Sequence, residues 1–207
     1  YAHEKGLKVF LNTNGMLLTG EIIERLKEYG VEEIILGLDA ATRETYERIR
    51  RGGDYVHVKE MAEKMIDAYG HDGPRLILQY IIMAENAHEV EQFRKDWIGK
   101  GGIVKIRRKQ GWGKLIESEF LGSSERIMPC PWLSRNCLIL WNGEVCQCDG
   151  DVDNQYTCGN AYQQSIKEIW QGEMKRRREC HYKGDFDFEP CKDCRDWQVG
   201  LSRFFFP

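Results

Sequence analysis

Cysteine is the residue type whose placement most directly points to chemistry in this chain. The sequence has 207 residues and eight cysteines, and residues 1 to 129 contain none of them. Cysteine sulfur pairs as disulfides, binds zinc or holds iron–sulfur clusters. Only one C-x2-C pair is present, and a second close pair within "WNGEVCQCDGD" is separated by a single residue. The positions are Cys130, Cys137, Cys146, Cys148, Cys158, Cys180, Cys191 and Cys194.

The spacing of these cysteines distinguishes the three uses of sulfur. Disulfides require an oxidising compartment, and nothing in the sequence indicates export. Structural zinc usually takes two close cysteine pairs, whereas only Cys191 and Cys194 form one here. A four-iron cluster accepts four thiolates from well-separated loops, which suits Cys130, Cys148 and the Cys191/Cys194 pair. The pattern therefore favours an iron–sulfur cluster and leaves zinc as the alternative.

Charge and hydropathy exclude several other classes of protein. Lysine and arginine total 30 against 33 acidic residues, so the net charge is -3 and no basic field attracts nucleic acid or a membrane surface. No apolar run reaches the roughly 18 residues of a membrane-spanning helix. The start, "YAHEKGLKVF", lacks the sections of a signal peptide. We therefore expect a cytoplasmic protein with no nucleic-acid or membrane partner.

The elements that must position a site lie mainly before the cysteines. Short apolar runs such as "KVFLNT", "EEIILGLDA" and "RLILQYIIM" alternate with segments of helical period. This alternation predicts an α/β fold with a parallel sheet covered by helices. The shift to cysteine-rich sequence predicts a boundary near residue 120, giving domains at 1–120 and 121–207. Capping boxes are expected at Asn86/Glu89 and at Ser165/Glu168.

Polar residues follow three of the predicted strands. In a parallel sheet, ligands bind at the carboxyl ends of the strands, so these turns form the expected rim of a pocket. The three turns are "NTNG" at 12–15, "GLDA" at 37–40 and "MAEN" at 83–86.

At this point the motifs resemble a known family. A Cys before Pro-Trp, a strand ending in Asn-Gly, a Cys five residues later, a Gly-Asn before "SIKEIW" and a late "CKDC" resemble the SPASM domain of radical S-adenosylmethionine (SAM) enzymes. Upstream, "LNTNGMLLT" and "ILGLDAATRETYERIRRGG" are similar to the middle of the radical SAM barrel. The resemblance covers nearly the whole chain. It implies the C-terminal part of a partial (β/α)6 TIM-like barrel followed by a small cysteine-rich SPASM domain.

The resemblance also implies a ligand set. Cys130, Cys148, Cys191 and Cys194 match the ligands of one auxiliary 4Fe-4S cluster. A second auxiliary cluster is conceivable from the spare cysteines, but no cysteine follows Cys194, so one cluster is the expectation. The spare cysteines are then expected to be small buried side chains. Four tryptophans, at 132, 141, 170 and 197, are expected to wrap the cluster, and no role is assigned to His57, His71, His88 or His181.

Six residues are the implied contacts of the SAM cofactor: four at strand ends, Gln79 along the third strand and Arg50 at the end of a helix. Gly37 stands where the family often has a serine of a Ser-x-Asp sequence, which removes one donor. The alternative interpretations are that Asn14-Gly15 is only a turn, Asp39 only a helix cap and Arg50 only a helix-end charge. The six are Asn12, Thr13, Asn14, Asp39, Arg50 and Gln79.

The function implied by the resemblance is that of a radical SAM/SPASM oxidoreductase or maturase acting on a peptide or sugar-like substrate. SAM and a second 4Fe-4S cluster would complete the parent enzyme, with flavodoxin or ferredoxin as a possible electron donor. The C-x3-C-x2-C motif that binds the catalytic cluster is absent from these 207 residues. We therefore expect the chain to be the C-terminal portion of such an enzyme, and the sequence does not decide whether this portion is catalytic by itself. The alternatives are a zinc- or cluster-stabilised interaction module and one half of a split enzyme.

Overall fold

A computed structural model describes residues 1–70 and 72–207, so His71 lies outside the described residues. The strands are β1 (Phe10–Thr13), β2 (Glu33–Gly37), β3 (Arg75–Ile82), β4 (Ile103–Arg108), β5 (Leu138–Ile139), β6 (Glu144–Cys146), β7 (Gly159–Asn160) and β8 (Arg203–Phe205). The helices are α1 (Gly20–Glu28), α2 (Arg43–Ile49), α3 (Tyr55–Tyr69), α4 (Val90–Gly99), α5 (Pro131–Arg135), α6 (Ile166–Gln171) and α7 (Glu173–Tyr182).

The chain divides into two compact units, which we call the sheet unit (residues 1–107 and 202–207) and the cysteine unit (108–201). The expected boundary near residue 120 differs from this division, because the segment after β4 packs with the cysteine-rich part. The last six residues return to the sheet unit, where β8 pairs antiparallel with β4. The Phe204–Pro207 end thus docks on the sheet.

The sheet unit contains a five-stranded sheet in the order β1-β2-β3-β4-β8. β1, β2 and β3 are parallel, with Asn12 opposite Ile35 and Gly37 opposite Gln79. One face packs against the helices through side chains such as Leu36, Leu78 and Val104, none of which is exposed. The mixed α/β fold with a mostly parallel sheet is therefore confirmed.

Alternation along the strands leaves a second, more polar face. Because successive side chains point to opposite sides of a strand, Gly37 and Gln79 lie on the face opposite Leu36 and Leu78. The same alternation places Lys105 and Arg107 opposite the buried Val104 and Ile106 of β4. We call this side the polar face.

Local capping explains where the first helices begin. The Thr19 and Thr42 side chains accept hydrogen bonds from the backbone at the starts of α1 and α2. The capping box expected at Asn86 and Glu89 is wrong: the Asn86 side chain makes no cap bond there. Glu89 instead accepts hydrogen bonds from the α2 start, from the Ala41 and Thr42 backbones and from the Thr45 hydroxyl. Tertiary contact between the two loops overrides the local pattern.

The cysteine unit is built from short elements. β5, β6 and β7 form a small antiparallel sheet, and two small apolar clusters replace a single large core. The capping box predicted at Ser165 and Glu168 is confirmed at the start of α6. In the part of the chain that the structure describes, no helix has the length and apolar character needed to cross a membrane.

Candidate metal centre and cofactor site

The end of β2 carries a buried ion pair. The Asp39 carboxylate accepts a hydrogen bond from Arg50 Nη2 at 2.7 Å and another from the Ile81 backbone N–H at 2.7 Å. Asp39 is 3% exposed and has a left-handed φ of 60°, which aspartate tolerates better than most residues. Burial raises the pKa of this carboxyl, and Arg50 and the Ile81 N–H oppose that rise. Asp39 is therefore a paired, buried acid, while Thr42 is the cap of α2.

Gly37 lets the arginine reach this position. A Cβ added at Gly37 would lie 2.7 Å from Arg50 Nη2. A serine here would displace the guanidinium. With glycine at this position, the strand end has the cationic Arg50 as a hydrogen-bond donor in place of a serine hydroxyl. Among the described residues, the buried Nε of Arg50 has no hydrogen-bond partner. That free N–H fits a role in holding an anionic group such as a cofactor carboxylate.

The other predicted contacts divide between the two faces. The Gln79 carbonyl accepts hydrogen bonds from the Leu38 and Asp39 N–H groups, which brings Gln79 beside the ion pair. Asn12 shares a face with Ile35, on the polar side. The Thr13 and Asn14 side chains instead accept hydrogen bonds from the turn that follows β1. The structure thus gathers Asp39, Arg50 and Gln79, places Asn12 on their face, and uses Thr13 and Asn14 locally.

The four predicted cluster ligands come from three segments of the cysteine unit. Cys130 is the residue before α5, with Pro131 in the first helical position. Cys148 follows β6, and Cys191 and Cys194 form a turn closed by a Cys194 N–H to Cys191 carbonyl bond of 3.1 Å. Cys130 and Cys191 are buried, and the other two are half-buried. All eight cysteines are free thiols.

Electrostatic effects link these four sulfurs to one another. Burial raises the pKa of every one of these thiols, to about 11 for Cys191. Charge on Cys130 affects both Cys148 and Cys191, and charge on Cys194 affects Cys130. Bound iron would reverse the protonation, because a metal-bound thiol is deprotonated. In the described part of the chain, no group of three or more His, Cys, Asp or Glu residues is placed to hold a single metal ion.

Backbone N–H groups favour the thiolate form of three of the four predicted ligands. The N–H groups of Trp132 and Leu133, at the start of α5, lower the pKa of Cys130 in part. The Gly150 N–H does the same at Cys148, and the N–H groups of Asp196 and Trp197 do so at Cys194. N–H groups facing sulfur are a common feature of protein-bound iron–sulfur clusters. This donor set fits a four-iron cluster held by thiolates.

The sulfur of the fourth predicted ligand, Cys191, is faced by side-chain donors that sequence analysis missed. Gln147 Nε2 lies 2.9 Å from Cys191 Sγ, and His181 Nε2 lies 3.2 Å from the same sulfur. The Arg126 guanidinium binds the Cys191 carbonyl at 3.2 Å and lowers the pKa of Cys191. His181 has no ligand spacing in the sequence, and only its tertiary position reveals it. The one available signal for Gln147 was its place between two cysteines.

The tautomer of His181 follows from its partners. The Cys130 backbone N–H donates to His181 Nδ1 at 3.2 Å, so Nδ1 carries no proton. Burial, together with the charge of the nearby Arg126, lowers the pKa of His181 to about 4. A neutral ring whose Nδ1 accepts a hydrogen bond carries its proton on Nε2, which lies 3.2 Å from Cys191 Sγ and 3.4 Å from Arg126 Nη1.

The remaining cysteines and the tryptophans match the expectations from the sequence only in part. Cys158 and Cys137 pack with Val145, Ile169 and Met174 in one apolar cluster, as small buried side chains do. Trp132 and Trp197 pack around Cys130 as expected. The expectation for Trp141 is wrong, because this side chain is 92% exposed on the β5–β6 turn. Trp170 packs against the apolar cluster that contains Cys158, with the Arg178 guanidinium over its ring.

A cavity of about 280 Å³ in the cysteine unit reaches Cys194. Its wall includes Lys114, Glu117 and Ser118 from the loop after β4, together with Arg195. Asp196 holds this loop by accepting the Gly111 and Gly113 N–H groups at 2.6 and 2.8 Å. The cavity therefore lies beside one of the four predicted ligands, Cys194, which forms part of its lining.

Comparison with protein families assigns the class. The Radical SAM superfamily model matches residues 1–96, and the SPASM model, an iron–sulfur cluster-binding domain, matches residues 130–195. The second match begins at Cys130 and extends past Cys194. Together the two models cover most of the chain, which therefore belongs to the radical SAM proteins that carry a SPASM domain. This class implies iron–sulfur clusters and S-adenosylmethionine (AdoMet) as cofactors.

Individual relatives are more distant. An uncharacterized protein of Treponema pallidum (strain Nichols) is 25% identical over 178 residues, which are 80% of this chain and 50% of that protein. The AdoMet-dependent heme synthase of Methanosarcina barkeri (strain Fusaro / DSM 804) is 44% identical over 50 residues, covering 24% of this chain and 14% of the synthase. The chain thus spans half the length of the first relative.

Solved structures share the fold. The crystal structure of BtrN in complex with AdoMet and 2-DOIA matches with a TM-score of 0.62 and 17% identity, covering 96% of this chain and 65% of BtrN. Native anSMEcpe with bound AdoMet and Kp18Cys peptide matches with a TM-score of 0.58 and 15% identity, covering 93% and 64% of the two chains. At this identity the likeness establishes the architecture alone.

Proposed function

We propose that this chain is the C-terminal portion of a radical SAM/SPASM oxidoreductase or maturase that modifies a peptide or sugar-like substrate. The cysteine unit binds one auxiliary 4Fe-4S cluster through Cys130, Cys148, Cys191 and Cys194. When bound, such a cluster takes up or releases one electron, and AdoMet supplies a 5'-deoxyadenosyl radical in this family. The C-x3-C-x2-C motif is absent from these 207 residues. In this proposal the catalytic cluster is therefore bound by residues outside them.

One observation carries the proposal. Four thiols from three segments of the chain affect one another's pKa, and each is faced by at least one N–H donor, which for Cys191 is the Gln147 amide. Burial raises the pKa of all four thiols, so the N–H donors gain a thiolate partner only when a bound cationic group deprotonates the sulfurs. The SPASM match over the same four residues supports iron and sulfide as that group.

The polar face of the sheet unit supplies the proposed AdoMet contacts. Arg50 offers its free Nε–H to a carboxylate, while its Nη2 remains on Asp39. Asp39 in turn fixes the β3 end through Ile81. Gln79 and Asn12 add amide groups on the same face. AdoMet carries both a carboxylate and an amine, so one cation and several polar acceptors match its methionine part.

The substrate class and the electron donor are proposed from the similarity of this chain to other radical SAM proteins. One structural neighbour was solved with a peptide and another with 2-DOIA, and both hold AdoMet. The cavity at Cys194 is large enough for a side chain or a small ring, which supports a substrate near the auxiliary cluster. A small electron carrier such as flavodoxin or ferredoxin is the proposed reductant.

The decisive experiment is metal analysis of the chain purified without oxygen. We expect about four irons and four acid-labile sulfides per chain, the composition of one 4Fe-4S cluster. Cys191→Ser and Cys194→Ser should lose most of the iron. Cys137→Ser is the matched control and should keep it, because Cys137 packs in a separate apolar cluster.

Two outcomes would overturn the assignment. One zinc per chain without sulfide would move the protein to the class of zinc-stabilised interaction modules. Equal iron loss from Cys137→Ser and Cys191→Ser would refute the ligand set. Co-purification of a second chain that carries the missing C-x3-C-x2-C would identify a split enzyme.

A further inference from the structure

Cys191 has a hydrogen-bond environment unlike that of the other three ligands. Its sulfur faces two nearly inaccessible side chains, Gln147 and His181, which are 1% and 2% exposed. The other three sulfurs are faced by backbone N–H groups of their own turns. Polar side chains buried to this degree are retained only with well-defined partners.

The orientation of the Gln147 amide is determined by its second partner. Arg177 Nη1 lies 2.6 Å from Gln147 Oε1. A guanidinium only donates hydrogen bonds, so the amide oxygen must face it and the amide nitrogen must face Cys191 Sγ, 2.9 Å away. The contact is therefore an N–H to sulfur hydrogen bond with the sulfur as acceptor.

Arg177 is itself held in place. Its Nε donates to Glu173 at 2.7 Å and its Nη1 also donates to the Tyr156 carbonyl at 2.8 Å. A charged donor on the amide oxygen polarises the amide and strengthens its N–H as a donor. Glu173, Arg177, Gln147 and Cys191 thus form one chain of hydrogen bonds that ends on a cluster ligand.

We infer that Gln147, oriented by Arg177, raises the reduction potential of the cluster bound at Cys191 and so favours its acceptance of an electron. The inference rests on the proposed function. One added electron makes a cluster more negative, so a hydrogen bond to ligand sulfur stabilises the reduced form more than the oxidised form. Gln147 acts on the ligand directly, and Arg177 is a positioning residue that acts through it.

The test is a redox titration of iron-loaded protein, in which the electron paramagnetic resonance signal of the reduced cluster measures the fraction of reduced cluster. Gln147→Leu removes the donor, and Gln147→Asn keeps an amide that is too short to reach the sulfur. For both we expect about a tenfold lower ratio of reduced to oxidised cluster at a fixed potential, or about 59 mV in midpoint for one electron. Arg177→Lys keeps the positive charge and should shift the ratio less, by about threefold.

Gln163→Leu is the matched control, because Gln163 is an exposed amide on the loop before α6. Its midpoint should equal that of the unaltered protein. Pulsed resonance should also show an exchangeable-proton coupling that disappears in Gln147→Leu and persists in Gln163→Leu.

An unchanged midpoint in either Gln147 variant, with four irons bound, overturns the inference and leaves the proposed function intact. If neither Gln147 variant retains four irons, the Arg177→Lys midpoint decides, and equality with Gln163→Leu overturns the inference. An unaltered chain that takes up no iron defeats the proposed function itself.

Discussion

Ile34, Leu36 and Leu78 of the sheet unit lose all contact with solvent, whereas the most buried positions of the cysteine unit include Cys146, Gln147 and His181. Each fully buried large apolar side chain contributes about 1.5–3 kcal/mol. The sheet unit gains this from one continuous cluster of 21 buried residues. The two apolar clusters of the cysteine unit contain four and three.

This difference shows how two parts of one chain reach stability by different means. Packing of apolar side chains suffices for the sheet unit. In the cysteine unit, two buried and two half-buried thiols with raised pKa values, together with several charged side chains, take the place of a large core. A bound cluster would convert those thiols into ligands, so its binding free energy would also be folding free energy.

The largest expected effect is on the cysteine unit when the cluster is removed by chelation. Amide hydrogen exchange in residues 108–201 should accelerate on the order of 100-fold or more, because a tightly bound group stabilises the native state by mass action. Exchange in β2 and β3 should stay within about twofold. Mass spectrometry of peptic peptides measures both in one sample. Equal acceleration in the two units would remove the distinction between them.

A smaller effect is expected inside the sheet unit from Asn86→Ala. The Asn86 side chain is fully buried and bonds the Asp39 carbonyl at 2.8 Å, the Ile81 carbonyl at 2.9 Å and the Met83 N–H at 2.7 Å. Its loss leaves these backbone groups unsatisfied, which should lower the free energy of unfolding of the sheet unit by about 3 kcal/mol.

Denaturant titration checks the Asn86 prediction, and iron content should not change. Asn14→Ala is the matched control. Asn14 is exposed and makes one local hydrogen bond, so about 0.5 kcal/mol is expected. A loss of iron from Asn86→Ala would contradict the independence of the two units.

The smallest effect concerns pH. Hydrogen bonds from Arg176, and further ones from Arg177, lower the pKa of Glu173 from 4.5 to about 2. A lowered carboxyl pKa contributes stability that is present above pH 4.5 and is lost as pH falls toward 2. One third of this side chain is exposed, so about 1 kcal/mol is expected.

Glu173→Gln should therefore reduce the pH dependence of the free energy of unfolding of the cluster-free cysteine unit between pH 5 and pH 3. Thermal unfolding at several pH values measures this slope. Glu125→Gln, at an exposed acid, serves as control and should leave the slope unchanged. A slope that is the same in both variants would show that Glu173 is not responsible for it.

Much of the fold was predictable because it depends on local and periodic patterns. Alternating apolar runs predicted the parallel strands, and Ser165 was recognisable as a cap since a cap needs only neighbouring residues. The Asn86/Glu89 prediction failed because the same residue types met stronger partners 44 to 48 positions away. Trp141 was misplaced because residue type alone does not set exposure.

The sequence by itself determined the class of protein and the four candidate ligands, because cysteine spacing and strand order are properties of the chain. Only the tertiary structure decided that Arg50 lies across Gly37 onto Asp39, and that Gln147 and His181 meet at Cys191. These contacts join residues up to 44 positions apart, and no local pattern encodes which polar side chain will be buried beside which sulfur. Hydrogen bonds between distant residues depend on packing of the whole unit.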